Sequence, residues 1–181
     1  MKEKPSILNT ETVARSRLFR IEQLDLRFAN GVEARYERLS GSARGAVLVV
    51  PRLDDDTVLL IREYAAGVDR YELALPKGRI EDGEDVLSAA NREMMEEVGY
   101  GAHSLHSIAS LTLAPGYFSH TTHVVLAEDL YPQHRAGDEP EDIEVVPWRL
   151  SQLDRLLARE DVTEARSIAA LFMVRERLSH E

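Results

Sequence analysis

The chain contains no cysteine and no long hydrophobic segment. The lack of cysteine excludes disulfides, thiolate zinc sites, iron–sulfur clusters and a cysteine nucleophile. No apolar run approaches the roughly 18–20 residues that a membrane helix needs, and the first nine residues lack the apolar core of a signal peptide. We therefore expect a cytoplasmic protein with no membrane partner.

Basic residues are also scarce, because 22 Lys and Arg stand against 32 Asp and Glu, for a net charge of −10. This charge argues against nucleic acid as a partner, since proteins bind phosphate backbones through basic surfaces. The length of 181 residues and the hydrophobic content of 44% are those of a globular chain with a real core. Dispersed acids would favour solubility alone, whereas clustered acids would favour a cation site.

Near the N-terminus, apolar and polar residues alternate on both sides of an Asn-Gly pair, which is typical of a β-hairpin. A three-residue loop ending at Gly31 pairs Leu24 with Tyr36 and Leu26 with Ala34. This register gathers the apolar side chains on one face, whereas a two-residue loop does not. It predicts a left-handed conformation for Gly31.

The predicted hairpin defines an N-terminal β-hairpin subdomain, residues 1–43, beside a main domain, residues 44–181. An isolated two-stranded hairpin is marginally stable, so it must pack on the main domain or on a second subunit. Further strands are predicted at Ala46–Val50, Thr57–Tyr64, Tyr71–Ala74, Ile108–Leu113, Thr122–Ala127 and Glu144–Trp148, and helices at Glu84–Val98, Ser151–Leu157 and Val162–Leu178, the last with Asp161 as its N-cap. This order indicates an α+β fold, with a mixed β-sheet sandwiched by helices.

The first of these helices carries clustered acids. At about 100° per residue, Glu93, Glu96 and Glu97 share an arc of about 100°. An apolar stripe lies beside that arc and is expected to dock on a sheet, which would place the acids at the edge of a packed face; it consists of Leu87, Ala90, Met94 and Val98. Clustered carboxylates suit hard cations such as Mg²⁺ or Mn²⁺. On spacing alone, an acidic pair on a helix more often solvates an exposed face.

The residues around this helix resemble the signature of the Nudix superfamily, G-x5-E-x7-R-E-U-x-E-E-x-G-U, in which U is aliphatic. The matching residues are Gly78, Glu84, Arg92, Glu93, Met94, Glu96, Glu97 and Gly99. Seven strict positions, each filled by chance about a tenth of the time, agree in less than roughly one window in ten million. Tyr100 departs from the last position, where an aromatic ring can still pack. The resemblance implies a Nudix fold and hydrolysis of a diphosphate joined to another group.

The same resemblance implies roles for individual residues. Glu93 and Glu97 would be the chief ligands of Mg²⁺, with Mn²⁺ as a possible substitute, and Glu96 a further ligand or a base. The backbone carbonyl of Lys77 is a common metal ligand in related enzymes. Arg92 would orient a catalytic glutamate, Glu96 or Glu97, by a charge-assisted hydrogen bond.

Four further segments are similar to the NudE-type ADP compounds hydrolases of the ADP-ribose pyrophosphatase branch: Ile7–Glu22, Ile61–Leu73, Leu113–His120 and Tyr131–Glu141. This similarity implies hydrolysis of ADP-ribose, NADH and diadenosine polyphosphates with release of AMP. It also implies a homodimer in which the N-terminal hairpins help to build the adenine pocket. The hairpin aromatics Phe28 and Tyr36 could then contact the base, although packing within the hairpin explains them equally well.

Contacts to the rest of the substrate are less clearly marked. Many ADP-ribose pyrophosphatases carry a Gln-aromatic-Arg triplet before the signature, where this chain has Glu63-Tyr64-Ala65. The absent arginine argues against a strict preference for ADP-ribose. Arg62 and Arg79 are candidates to replace it, and solvated surface arginines are an equal alternative.

An acidic loop matches the position of a mobile loop that supplies a distal glutamate in this branch. Glu139 is the candidate general base and Glu141 the second choice, as a catalytic or substrate-binding residue. The alternative is a solvated acidic loop.

Two other functions are compatible with the sequence. One is a broader pyrophosphohydrolase that acts on nucleoside triphosphates or nucleotide sugars. The other is a non-catalytic module that senses ADP-ribose, which is disfavoured because all the signature glutamates are present.

Overall fold

The structure is a computed structural model that describes residues 2–41, 44–137 and 140–180. Its strands are β1 (Ser6–Arg15), β2 (Arg20–Arg27), β3 (Glu33–Ser40), β4 (Ala46–Pro51), β5 (Thr57–Ala65), β6 (Arg70–Ala74), β7 (Lys77–Arg79), β8 (Tyr100–Thr112), β9 (Thr121–Pro132) and β10 (Glu144–Arg149). Its helices are α1 (Val86–Glu97), α2 (Leu153–Leu157), which follows a 3₁₀ turn at Leu150–Gln152, and α3 (Ala165–Leu178). The chain divides into two compact units, a first unit of Met1–Gly45 with Thr112–Thr121 and a second unit of Ala46–Leu111 with Thr122–Glu181.

The first unit contains an antiparallel sheet in the order β1-β2-β3. The predicted hairpin register is confirmed, because Leu24 pairs with Tyr36 and Leu26 with Ala34, and Gly31 has a φ of 81°. The sequence did not predict β1. All ten of its residues are exposed, so no alternation of buried and exposed positions marked it as a strand. The role of this region in dimerisation and substrate binding stays a prediction.

The second unit contains two sheets. The four-stranded sheet has the order β7-β4-β9-β8 and is mixed, because β4 runs parallel to β9 and antiparallel to β7. The three-stranded sheet has the order β10-β5-β6 and is antiparallel. The predicted α+β architecture with a mixed sheet between helices is confirmed, although β8 begins at Tyr100 rather than at Ile108.

Two hydrophobic clusters fill the second unit, and the same strands supply both. Successive side chains of a strand point to opposite faces, so Leu48 and Val50 of β4 join one cluster and Val47 and Val49 join the other. Helix α3 covers the first cluster and α1 covers the second. All six residues of β4 are buried, and each such Val or Leu side chain contributes about 1.5–3 kcal/mol. Strand β4 therefore packs against both helices, one on each face, and fixes their positions.

The packed face of helix α1 is wider than predicted. Leu87 is 36% exposed, whereas Ala89 is fully buried and Glu93 and Glu97 are only 8% and 6% exposed. The two acids therefore lie within the packed face, and the expectations that they lie at its edge and that Leu87 docks were wrong. The physical reason is that polar partners compensate the buried carboxylates, as described below.

The start of α3 also differs from the prediction. Its N-cap is Glu164, whose carboxylate accepts hydrogen bonds from the backbone N–H groups of Arg166 and Ser167. Asp161 is instead ion-paired with Arg62 and Arg159, so its assignment as the N-cap was wrong. Within the described residues, no helix combines the length and the apolar character that crossing a bilayer requires.

Candidate active site on the acidic helix

Helix α1 begins and ends where local chemistry requires it. The Asp85 carboxylate accepts hydrogen bonds from the backbone N–H groups of Leu87 and Ser88, both at 2.9 Å, which satisfies donors that the first turn leaves free. After the helix, Gly99 adopts a φ of 77°, a left-handed conformation that favours glycine. The acidic residues thus lie on a helix with fixed ends.

Arg92 organises three acidic side chains around one guanidinium. It donates to both carboxylate oxygens of Glu84 at 2.8 and 3.1 Å, and to Glu93 and Glu96 at 2.9 Å each. A further hydrogen bond of 2.9 Å reaches the backbone carbonyl of Arg79 on β7. The bond to Glu84 lowers the pKa of that carboxyl and is the main cause that raises the pKa of Arg92. Arg92 thereby holds the acids of α1 in fixed directions and ties the helix to β7.

The Glu93 carboxylate lies directly against the backbone of Gly78 on β7. A Cβ atom added at Gly78 would lie 1.9 Å from both the carboxylate carbon and one oxygen of Glu93. Only a residue without a side chain allows this approach. The signature glycine is therefore explained by the space that the Glu93 carboxylate occupies.

Glu97 is a strongly perturbed carboxyl group of the site. Its Oε2 accepts a 2.8 Å hydrogen bond from the backbone N–H of Lys77. Burial raises the pKa of Glu97 to about 8, Lys77 opposes this shift, and the negative charges of Glu63 and Glu93 add to it. A buried carboxylate that is costly to ionise gains most from a nearby cation.

A cleft of about 440 Å³ opens beside the last turn of α1. Glu96 and Glu97 line it from the helix, and Glu141 lines it from the acidic segment between β9 and β10. His134, Pro140, Asp142 and Ile143 complete much of the wall. Two of the signature acids thus face a space large enough for a small ligand.

The donor set suits a hard divalent cation in chemical type, because it offers carboxylate oxygens and no sulfur. Among the residues that the structure describes, however, no three acidic or histidine side chains form a group that could hold a metal ion. The carboxylates of Glu93 and Glu96 are directed at Arg92, and that of Glu97 at the Lys77 backbone. These three acids fit a metal in chemical type and share one helix face, but their carboxylates are held by Arg92 and by the Lys77 backbone and do not converge on one point.

The candidate arginines are placed differently from each other. Arg62 is paired with Glu144 at 2.8 Å and with Asp161, so its guanidinium has two structural partners. Arg79 is exposed, and its backbone carbonyl accepts from Arg92. A substrate role for either arginine stays a prediction.

The remaining predicted residues are distributed over both units. Phe28 and Tyr36 contact each other in the first unit with ring centroids 6.3 Å apart, as packing within the hairpin requires. In the second unit, Glu141 accepts a 2.8 Å hydrogen bond from the hydroxyl of Tyr71 and lines the cleft. Glu139 lies outside the described residues.

Two cations lie beside the acids, and sequence reasoning named Lys77 only for its backbone carbonyl and did not name Arg135 at all. The ammonium of Lys77 is paired with Glu63 at 2.8 Å, and Arg135 is paired with Glu96 at 3.2 Å. The backbone N–H of Arg135 also donates to the carbonyl of Met95 on α1. These pairs join distant parts of the chain, so no local spacing signalled them.

Known proteins are similar to this chain in sequence and in fold. A family model described as the NUDIX domain matches residues 42–172, and one described as the NudE-type Nudix hydrolase N-terminal domain matches residues 5–38. ADP compounds hydrolase NudE of Escherichia coli (strain K12) is 52% identical over 174 residues, covering 96% of this chain and 93% of that protein. An ADP-ribose pyrophosphatase of Bacillus subtilis (strain 168) is 29% identical over 171 residues, covering 91% of each chain. A crystal structure of an ADP compounds hydrolase matches with a TM-score of 0.92 and 51% identity, covering 99% of this chain and 97% of that one.

Proposed function

The chain belongs to the Nudix hydrolase family, and from that premise we propose that it cleaves the diphosphate linkage of ADP-containing compounds and releases AMP. The observation that supports this most is the arrangement of α1. Its acids are held by Arg92 and by the Lys77 backbone, and two of them face a cleft of about 440 Å³. The relatives named for ADP compounds and ADP-ribose support the substrate class.

Nudix hydrolases generally need a divalent metal, and we propose Mg²⁺, with Mn²⁺ as a substitute. Glu93, Glu96 and Glu97 would hold it, together with the backbone carbonyl of Lys77. When bound, such a cation offsets the charge of the diphosphate and makes water a better nucleophile. The net charge of −10 increases the benefit of such a cation, because protein and substrate are both anionic and repel each other.

The chain's own residues would then divide the remaining work. Arg92 keeps the carboxylates of Glu93 and Glu96 in place by charge-assisted hydrogen bonds. Glu96, Glu97, Glu139 and Glu141 are the candidates to accept the proton of the attacking water. In the described part of the acidic segment, Glu141 lines the cleft.

The finer identity of the substrate is part of the proposal. ADP-ribose would yield AMP and ribose 5-phosphate, and NADH would yield AMP and reduced nicotinamide mononucleotide. Diadenosine polyphosphates are the third class. Because Glu63-Tyr64-Ala65 lacks the arginine expected for strict ADP-ribose preference, we expect a broader range of ADP compounds. We also propose a homodimer and a cytoplasmic location.

Purified protein incubated with Mg²⁺ and, separately, ADP-ribose, NADH or diadenosine triphosphate tests this function, with products identified by mass. AMP should appear from at least one of the three. Absence of AMP from all of them at micromolar enzyme would contradict the proposal. Release of pyrophosphate from deoxynucleoside triphosphates at a higher rate would instead support the broader pyrophosphohydrolase.

Glu97→Gln separates an enzyme from a sensing module. The substitution keeps the shape of the side chain, and we expect it to lower turnover by about 10²-fold or more, as removal of a charge at a catalytic centre does. Circular dichroism should remain that of the wild type. A protein that only senses its ligand would show no turnover to lose.

A further inference from the structure

Tyr71 and Glu141 form a contact that joins the β5–β6 hairpin to the wall of the cleft. The Tyr71 hydroxyl donates a 2.8 Å hydrogen bond to Oε1 of Glu141, although the two residues lie 70 positions apart in the sequence. Glu141 lines the same cleft as Glu96 and Glu97. Tyr71 itself does not line the cleft, so it contacts the site through Glu141.

The ring of Tyr71 is held in place by a neighbouring aromatic residue. Tyr64 and Tyr71 are directly paired across β5 and β6, and their rings meet edge-to-face with centroids 5.7 Å apart, a favoured geometry for aromatic pairs. The hydroxyl of Tyr64 donates to Asp69 in the hairpin turn. The two tyrosines therefore occupy paired positions on neighbouring strands and contact each other. Of the two, Tyr71 is the one that bonds to the acidic segment.

The bond to Glu141 is suited to holding a carboxylate in one direction. A hydroxyl that donates to an ionised acceptor forms one of the stronger hydrogen bonds in proteins. Glu141 raises the pKa of the Tyr71 hydroxyl, mainly through this hydrogen bond, so the hydroxyl keeps its proton and its role as donor. The second oxygen of Glu141 remains available for another partner.

We propose that Tyr71 is a positioning residue that holds the Glu141 carboxylate at the wall of the cleft, so that its second oxygen accepts the proton of the attacking water. This inference rests on the proposed hydrolysis. In that reaction the water oxygen forms a bond to one phosphorus, the bond from that phosphorus to the bridging oxygen breaks, and the bridging oxygen leaves on the other phosphate. The water has to lose a proton as its bond to phosphorus forms, and a base held in place takes it with less reorganisation.

Tyr71→Phe tests the proposal, because it removes the hydroxyl and keeps the ring contact with Tyr64. Tyr64→Phe is the matched control on the neighbouring strand. Relative to wild type, we expect Tyr71→Phe to lower kcat about ten-fold with KM within about two-fold, since misplacement of a reacting group costs rate more than binding. Tyr64→Phe should stay within about two-fold in both constants.

The double variant Tyr71→Phe/Glu141→Gln decides whether Tyr71 acts through Glu141. If it does, the double variant is no slower than Glu141→Gln alone, because residues that act as a unit are not additive. A multiplicative loss, or equal kcat values for Tyr71→Phe and Tyr64→Phe, would overturn the inference. Turnover by the wild type in the same assay shows that such a failure concerns Tyr71 and not the hydrolase function.

Hydrogen exchange provides a test that needs no substrate. Peptides covering residues 140–146 should exchange faster in Tyr71→Phe and in Glu141→Gln than in wild type or Tyr64→Phe, because local opening follows the loss of the anchoring bond. Unchanged exchange in Tyr71→Phe would overturn the proposed anchoring even if no ADP compound were cleaved.

Discussion

The carboxylate of Glu93 occupies the space in which a side chain at Gly78 would begin, since an added Cβ would lie 1.9 Å from it. This relationship explains a glycine and a glutamate of the Nudix signature by one contact between β7 and α1. Since the acid is also bonded to Arg92 at 2.9 Å, it cannot move aside without losing a charged hydrogen bond.

Gly78→Ala should therefore impair the site much more than the fold. The new methyl group forces the Glu93 carboxylate away from its position, and a displacement of about 1 Å at a reacting centre costs about a hundred-fold in rate. We expect kcat/KM to fall by at least that factor and Mn²⁺ binding, followed by electron paramagnetic resonance, to weaken. Gly67→Ala is the control, because an added Cβ there meets nothing within 4 Å; equal activity of the two variants would contradict the explanation.

Arg92→Lys should show that geometry matters in addition to charge. Lysine keeps the positive charge but cannot donate in a planar fork to Glu84 while also reaching Glu93 and Glu96. We expect a loss of about 1–3 kcal/mol in the free energy of unfolding, measured in urea, and a fall in kcat. Arg27→Lys at the exposed pair with Glu33 should change neither quantity, and a wild-type-like Arg92→Lys would show that the fork is dispensable.

Mg²⁺ should stabilise the folded protein through the acids of α1. A ligand that binds the native state alone adds about 2.7 kcal/mol at a hundred times its Kd, so the melting temperature should rise with Mg²⁺ and activity should vanish in excess chelator. Glu97→Gln should largely abolish the rise. Glu128→Gln is the control, because Glu128 lies on β9 and is paired with Arg52; this variant should retain the rise in melting temperature. A full rise in Glu97→Gln would place the ion elsewhere.

Asp161 should make the protein sensitive to acid. Arg159, and secondarily Arg62, lower the pKa of Asp161, while Glu144 shares Arg62. A lowered native pKa contributes stability that is present above the ordinary value of about 3.8 and is lost as the pH falls through the lower native value. The free energy of unfolding should thus fall more steeply below about pH 4 in wild type than in Asp161→Asn. Parallel curves for the two proteins would contradict this.

The spacing of residues in the sequence predicted those parts of the structure that depend on residues close together in the chain. The hairpin register followed from the Asn-Gly turn and the alternation around it, and the Arg92–Glu97 segment followed from helical periodicity and the Nudix signature. Both depend on residues that are near one another in the chain. The predicted helix begins at Glu84, whereas α1 begins at Val86 after its N-cap Asp85, which sequence reasoning did not single out.

Other features depend on contacts that spacing cannot show. The acids of α1 lie within the packed face because the Lys77 backbone N–H, 20 residues away, bonds to Glu97. An apolar periodicity cannot anticipate that a polar group will compensate a buried carboxylate. The exposed strand β1 and the pair of Tyr71 with Glu141 were missed for related reasons, since one carries no burial pattern and the other joins distant segments.

The small buried residues of α1 determine how closely the helix approaches β7. Ala89 and Ala90 are fully buried against the strands, and the helix side chains there are short enough for Glu97 to reach the Lys77 backbone at 2.8 Å. A larger residue at Ala90 would thicken this layer and lift the helix from β7, although no acidic residue had changed. The volume of the buried side chains therefore sets the distance between α1 and β7. Apolar residues that do not contact a substrate determine in this way how accurately the acids are placed.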